Sequence, residues 1–203
     1  MSLITGISKC ENCEGFGEVN HSDSRTELHM KNGCAYYIQL CVEPETNHTP
    51  EYLREQLESG MAGLSSQSRW QRFAAPVNKL SEKQLDYLSN IDGKNHVAWC
   101  ASLLQEGKEK GIAIARYVIL HDEVGVAEFA ITVLDDYQGQ GIGYELIKKL
   151  IGSAKANDVN MLIGHIAPGN KRMLNLCKRF DASIQTEKSS SVIALISVKN
   201  DYS

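Results

Sequence analysis

The sequence lacks the features that define several large classes of protein. Its apolar runs stay well short of the roughly 20 residues that a membrane-spanning helix needs. The start, MSLITGISKC, has no basic segment followed by a long apolar stretch, so we expect no secretion signal. The net charge is −4, from 21 basic and 25 acidic side chains, which argues against nucleic acid as the main partner. We therefore expect neither a membrane nor a nucleic-acid partner, and a homodimer is left open.

Cysteine is also too sparse to form a dense disulfide framework. A chain of 203 residues can bury a substantial core without disulfide or metal support. We therefore expect reduced thiols and a cytoplasmic protein. The six cysteines lie at positions 10, 13, 34, 41, 100 and 177.

The pair Cys10 and Cys13 permits a zinc alternative, with His21, His29 and Cys34 as further ligands. A single C-x-x-C without a second pair is weak evidence for zinc, and His29 and Cys34 belong to a predicted hairpin. We expect no metal.

The order of elements predicts one mixed α/β domain over residues 24–203, preceded by a polar tail over 1–23. Asn32-Gly33 predicts a hairpin turn, Thr49-Pro50 a helix start, and Ser81 with Gln84 a capping box. Further helices are predicted over 66–73, 141–156 and 170–180. Strands are predicted in HVAWCASL, GIAIARYVIL, VGVAEFAITVL, NMLIGHI and SSVIALISV, the first three as an antiparallel meander.

The stretch DDYQGQGIGYELIKKL places three glycines between a strand and a helix. A dinucleotide fingerprint would need a third glycine where Tyr144 stands, and a Walker loop would need Gly-Lys-Ser/Thr, which is absent. Either the small residues let the helix pack close to the sheet, or free N–H groups of the first helical turn receive phosphate charge.

The pattern Gln-x-x-Gly-x-Gly, formed by Gln138, Gly141 and Gly143, resembles the acetyl-coenzyme A loop of the GNAT family of N-acetyltransferases. The segment IAPGNKRMLNLCKRF resembles the family's helix that begins at an Asn beside the pantetheine arm. From about residue 25 to the end, the chain looks like the GNAT domain of bacterial protein-lysine acetyltransferases.

The resemblance implies the GNAT fold, which is a mostly antiparallel sheet with helices on both faces and a fourth strand that splays apart from the fifth. It also implies acetyl-coenzyme A as the acyl donor, bound in that gap. Its implied contacts are the strand residues Ile131, Thr132 and Val133, the loop residues Gln138, Gly139, Gln140, Gly141, Ile142, Gly143 and Tyr144, and the helix residues Asn170 and Met173.

Acetyl transfer to an amine requires a base, because a lysine-type amine with a pKa of about 10.4 is protonated at neutral pH. Glu128 is the first candidate, since burying a carboxylate in an apolar strand is costly unless it is paired or useful. The resemblance also implies a glutamate in this AE-x-A context. The competing interpretation is a structural glutamate that pairs with Arg116 or another cation. His165 is the alternative base, or else a histidine bonded to a backbone carbonyl.

Two family positions are replaced in this chain. Many GNAT enzymes have a Tyr seven residues after the Asn as general acid for the leaving thiolate, where this chain has Cys177. That thiol is either a weak acid or a buried core residue. A glycine usually follows this helix, where the chain has Asp181, and the turn there is left undetermined.

The sequence thus predicts an acetyltransferase that moves an acetyl group from acetyl-coenzyme A to a primary amine, such as a protein lysine, by direct attack in a ternary complex. The alternatives are acetylation of a small amine or polyamine, which acidic residues around the acceptor groove would favour, and a sensor that binds the cofactor without chemistry.

Overall fold

The computed structural model of the protein describes residues 25–42, 48–186 and 192–198. The predicted tail over 1–23, with Cys10, Cys13 and His21, lies outside the described residues. The division into a tail and a domain therefore stays a prediction. In the part of the chain that is described, no helix combines the length and the apolarity that crossing a bilayer requires.

Eight strands and five α-helices make up the described chain. The helices are α1 Pro50–Ala62, α2 Ser66–Phe73, α3 Glu82–Ser89, α4 Ile142–Ala156 and α5 Lys171–Lys178, with a 3₁₀ turn at Asp135–Tyr137. The strands are β1 Thr26–His29, β2 Ala35–Leu40, β3 His96–Gln105, β4 Lys108–Ile119, β5 Val126–Val133, β6 Met161–Ile166, β7 Ser183–Thr186 and β8 Val192–Ser197.

The predicted start and turn signals are confirmed. Gly33 adopts φ 86° between β1 and β2, a conformation that glycine takes without strain. The Thr49 hydroxyl accepts from the Tyr52 amide at 3.2 Å and caps α1. Ser81 and Gln84 form the reciprocal capping box that begins α3. These elements therefore arise from local sequence.

The eight strands form one sheet in the order β1-β2-β3-β4-β5-β6-β8-β7. Every neighbouring pair is antiparallel except β5 and β6, which run parallel. Their pairing begins at Val126 with Met161 and ends at Glu128 with Ile163, although both strands continue beyond it. The edge of β5 that faces β6 therefore has no strand partner from Phe129 onward, and the sheet opens there.

Helices cover both faces of the sheet, as the sequence predicts. On one face α4 packs against β3, β4 and β5, and its Leu146, Ile147 and Leu150 are fully buried. On the other face α1 lies over β4, where Leu53 belongs to a smaller apolar cluster with Ile91. The mixed α/β prediction is confirmed.

One strand and the disulfides were not predicted. The edge strand β7 has the short, largely exposed sequence SIQT, which carries no apolar alternation. Cys41 and Cys100 form a disulfide across the neighbouring strands β2 and β3, with a Cα–Cα distance of 5.9 Å over a sequence separation of 59. Cys34 is disulfide-bonded as well. The prediction of reduced thiols is wrong for these three cysteines, and for Cys41 and Cys100 the reason is that the pairing of β2 with β3 brings distant residues together.

The disulfide at Cys34 also bears on the zinc alternative, because a disulfide sulfur is not the thiolate that zinc binds. His29 lies in β1.

The turn that follows α5, which the sequence left undetermined, contains Asp181 with φ 54°. Asp181 therefore adopts the left-handed conformation for which glycine is the usual residue.

Candidate active site

A cavity of about 820 Å³ opens where β5 and β6 part. Its walls come from five elements that are distant in sequence: β5, β6, the start of α4, α5 and the end of α2. Pockets of this size are typical of small-molecule and cofactor sites.

The loop before α4 forms one end of this cavity with exposed main chain. Gly139 and Gly141 have φ values of 77° and 98°, and a Cβ at either position would meet no atom within 4 Å. Within the described residues, none of the amides from Gly139 to Gly143 donates to a backbone carbonyl. Gly141 caps α4 without a side-chain hydrogen bond. The cavity thus receives several free N–H groups together with the positive end of the helix dipole.

The third glycine of the loop has a different role. A Cβ on Gly143 would lie 3.2 Å from Leu176 Cδ2 and 3.4 Å from Ile131 Cδ1. The close packing of α4 against α5 and β5 therefore requires a small residue there. The packing interpretation of the glycines therefore applies at Gly143, whereas phosphate binding at Gly139 and Gly141 stays a prediction.

Gln138 holds the loop in place through its side-chain amide. Its Nε2 donates to the Val133 carbonyl at 3.1 Å and to the Ser68 hydroxyl at 3.2 Å, and its Oε1 accepts from Arg172. The amide is thus occupied by protein partners on three elements. This geometry supports a role for Gln138 in positioning the loop, in addition to any direct contact with a ligand.

Asp135 joins the same loop to the start of α2. Its carboxylate accepts from the Ser65 amide at 2.9 Å and from the Ser68 hydroxyl at 2.8 Å. Burial raises the pKa of Asp135, but these hydrogen bonds outweigh it and lower the pKa below its usual value. A charged Asp135 therefore ties the loop to the helix that forms the opposite wall of the cavity.

The long side of the cavity follows β5 and α5. Ile131 to Val133 pair with β4 on one edge and face the opening between the strands on the other. The Asn170 side chain accepts from the Met173 amide at 3.0 Å and caps α5, as predicted for a helix that begins at this Asn.

Glu128 stands at the end of the cavity where the two central strands separate. It is the last β5 residue paired with β6, and its side chain is exposed to the cavity rather than buried. The burial assumed in the sequence argument is therefore wrong, although the position is that of a group accessible to a ligand. Among the described residues, no ion pair joins Glu128 to Arg116, which donates instead to the Leu88 carbonyl at 2.6 Å.

His165 lies on β6, on the face of the sheet that also carries Glu128. Ile163 pairs with Glu128 and His165 is two residues further along the same strand, so both side chains project from the same face. His165 is exposed, lines the cavity and makes no hydrogen bond within the described chain. The alternative of a histidine held by a backbone carbonyl therefore has no support here.

Cys177 is separate from the cavity. It is fully buried in the main apolar core, and burial raises the pKa of its thiol to about 11. It does not line the cavity, so the structure favours the interpretation as a core residue.

The cavity thus brings together most residues predicted for the site. Predicted residues that line it are Glu128, Ile131, Thr132, Val133, Gln138, Gly139, Gly141, Ile142, Gly143, Tyr144, His165, Asn170 and Met173. Gln140 and Cys177 do not line it.

Sequence reasoning missed the basic side chains of the cavity. Lys31 reaches it from the β1–β2 turn, Arg72 from α2, and Arg172 and Arg179 from α5. Arg179 lies over the Tyr144 ring at 3.9 Å. No local motif marks them, because each is brought to the cavity by packing between distant elements.

These side chains give the cavity a charge opposite to that of the whole chain. Four basic residues and one acidic residue, Glu128, line it among the described residues, whereas the chain carries a net charge of −4. The cavity is therefore suited to an anionic ligand.

A sheet opened between two parallel strands, with free amides at the adjoining helix start, defines the GNAT fold. The model of the acetyltransferase (GNAT) family matches residues 65–181, which is more than half of the chain. The protein belongs to this family.

Two curated relatives share the family part of the chain. An acetyltransferase of Pseudomonas aeruginosa is 32 % identical over 124 residues, which is 61 % of this chain and 66 % of that protein. Acetyltransferase Pat of Mycolicibacterium smegmatis is 34 % identical over 129 residues, 63 % of this chain and 38 % of that protein. The chain spans less than two thirds of either relative's length.

Solved structures agree on the fold. The GNAT domain of S. lividans PAT matches 85 % of this chain and 96 % of its own, with a TM-score of 0.72 and 20 % identity. A cAMP-binding acyltransferase from Mycobacterium smegmatis matches 87 % of this chain and 48 % of its own, with a TM-score of 0.56 and 26 % identity.

Proposed function

We propose that the protein is an acetyltransferase that moves the acetyl group of acetyl-coenzyme A to a primary amine of a protein lysine. The observation that carries the proposal is the row of free amides from Gly139 to Gly143 at the start of α4, open to a basic cavity. A putative acetyltransferase of Salmonella typhimurium, solved with its cofactor acetyl-CoA, shares the fold with a TM-score of 0.57 at 10 % identity.

The donor fits the cavity in both charge and shape. The free amides and the helix dipole would hold the diphosphate, with Arg172 and Arg179 adding positive charge at the same end. The unpaired edge of β5 from Phe129 onward offers backbone groups to the amides of the pantetheine arm. The thioester would then reach the place where Glu128 stands.

Glu128 is proposed as the base. It would take a proton from the acceptor ammonium, directly or through water, so that the neutral nitrogen can attack the thioester carbonyl. His165 on the same face is the alternative base. The departing thiolate has no acid assigned among the predicted residues, because Cys177 lies in the core. The collapse of the intermediate would release coenzyme A and the acetylated amine.

The charge of the cavity favours a protein lysine over a polyamine. A polyamine carries several positive charges, and the cavity offers one carboxylate against four cations. A single lysine on a protein surface presents one charge, which the base neutralises. The exposed Glu128 and His165 also favour a catalyst over a sensor that only binds the cofactor.

Calorimetric titration with acetyl-coenzyme A, followed by a thiol-release assay, tests the proposal. We expect binding and release of free thiol with lysine-containing proteins or peptides, and weaker release with a polyamine. Binding without release on any acceptor would support the sensor alternative. A protein that does not bind acetyl-coenzyme A would contradict the proposal altogether.

The domain over 24–203, the absence of a metal and the cytoplasmic location stay predictions. Disulfides are rare in the cytosol of most organisms, so the bond between Cys41 and Cys100 is the observation that speaks against that location.

A further inference from the structure

Arg72 is a cation in the cavity wall whose charge interacts with that of Glu128. It lies in the last turn of α2, is partly buried, and lines the cavity together with Glu128. Its guanidinium lies 4.9 Å from the centre of the Phe73 ring. In the described part of the chain it makes no hydrogen bond and no ion pair. A guanidinium carries several N–H donors, and leaving them unmatched at a partly buried site is costly.

Arg116 is a second arginine whose guanidinium, unlike that of Arg72, has hydrogen-bond partners within the described chain. Arg116 is buried, donates to the Leu88 carbonyl at 2.6 Å and meets His96 Nε2 at 3.2 Å. Burial and the charge of Arg72 lower the pKa of Arg116 to about 9. Arg116 therefore has a structural role, whereas the donors of Arg72 remain available to a ligand.

The charges around Arg72 point to an anion. Burial lowers the pKa of Arg72, and the carboxylate of Glu128 acts in the opposite direction. An amine that approaches Glu128 as an ammonium ion is therefore repelled by Arg72. A carboxylate next to that amine would offset the repulsion and pair with the free donors of Arg72.

We propose that Arg72 binds an acidic side chain beside the acceptor lysine, so that the preferred acceptor is a lysine with Asp or Glu close to it in the sequence. This inference rests on the proposed function, and it adds a determinant of specificity to it. In this proposal Glu128 removes the proton from the acceptor amine, and Arg72 binds the acidic side chain beside that lysine.

Paired peptides test the proposal with one change of charge at a time. Each peptide carries one lysine and either Glu or Gln at one of the four positions within two residues of it. We expect kcat/KM of the unaltered protein to be about tenfold higher for the Glu peptide at one position or more, which corresponds to about 1.4 kcal/mol. In Arg72→Gln that preference should vanish through slower reaction of the Glu peptide, while Arg72→Lys should keep part of it.

Lys83→Gln is the matched control, because it removes one positive charge from an exposed position of α3 outside the cavity. It should keep the preference for Glu peptides. Melting temperatures of all variants show whether the fold is retained.

Two results would overturn the inference. The first is equal kcat/KM for Glu and Gln peptides at every position in the unaltered protein. The second is an equal loss on both peptides in Arg72→Gln, which would mean that Arg72 acts through Glu128 alone. Absence of thiol release from every peptide would instead contradict the proposed function, and so the two failures are distinguishable.

Discussion

The two ends of the cavity are built in different ways. The main chain of the proposed phosphate end is one continuous stretch, from Gln138 to Tyr144, whose glycines and helix start are visible in the sequence. The acceptor end combines Arg72 from α2, Glu128 from β5 and His165 from β6, which only tertiary packing brings together. Open main chain before a helix can thus be predicted from a short motif, whereas the side chains of the proposed acceptor end come from distant elements and have no such signal.

The largest effect is expected at the acceptor end, for Glu128→Gln. Loss of the base should lower kcat at neutral pH by about 10²- to 10³-fold, since general-base catalysis is typically of that size. The dissociation constant of acetyl-coenzyme A should stay nearly unchanged, because the amides that hold the phosphates are elsewhere. Steady-state kinetics and calorimetry measure both quantities.

His165→Gln serves as the comparison for Glu128→Gln, because both side chains are exposed to the cavity on the same face. It should have a much smaller effect on kcat. Normal turnover of Glu128→Gln at saturating substrate would transfer the role of base to His165 or to water.

The Cys41–Cys100 disulfide should stabilise the fold without affecting binding or catalysis at either end of the cavity. Replacing both cysteines by Ala should lower the free energy of unfolding by about 2–4 kcal/mol, because the bond closes a long loop of the unfolded chain. Chemical denaturation measures this loss, and kcat at a temperature where the fold persists should be unchanged. A fall in kcat without any loss of stability would show that the disulfide acts on the cavity.

At the phosphate end, Gly141→Val should raise the dissociation constant of acetyl-coenzyme A by about tenfold or more, or about 1.4 kcal/mol. The new side chain would project into open space at the proposed phosphate site in the cavity wall. The positive φ of Gly141 also means that this variant should lose about 1–3 kcal/mol of stability.

Gly107→Val separates the two consequences of the Gly141 substitution. Gly107 has φ 70° in the β3–β4 turn, no atom within 4 Å of a new Cβ, and no place in the cavity wall. It should show a similar loss of stability with unchanged affinity. If Gly141→Val binds acetyl-coenzyme A as tightly as Gly107→Val, the assignment of the phosphate loop is refuted.

The smallest effect concerns the link between the two ends. Ser68→Ala removes the hydroxyl that donates to Asp135 and accepts from Gln138, a change worth about 1 kcal/mol. Because α2 and the loop share this hydroxyl, the KM values of both substrates should rise severalfold. Ser66→Ala, on the same helix but bonded to Arg69, should leave both values unchanged. A rise in only one KM would show that the ends are independent.

Much of the fold and one end of the site could be predicted from the sequence. The hairpin turn at Asn32-Gly33, the caps at Thr49 and Ser81, and the helix predicted over 141–156 are local patterns, and the structure has each of them. Glu128 was singled out by an argument from burial, yet it is exposed, so the physical premise was wrong although the residue does line the cavity.

The sequence by itself determined every α-helix and all strands but β7, the open main chain at Gly139 to Gly143 and the family, because helix starts, turns and glycine conformations depend on neighbouring residues. Only the tertiary structure decided that Arg72 and Glu128 line the same cavity, that Cys41 meets Cys100, and that Cys177 is buried in the core. Those relations depend on the pairing of strands and the packing of helices from distant parts of the chain, for which no short stretch of sequence carries a signal.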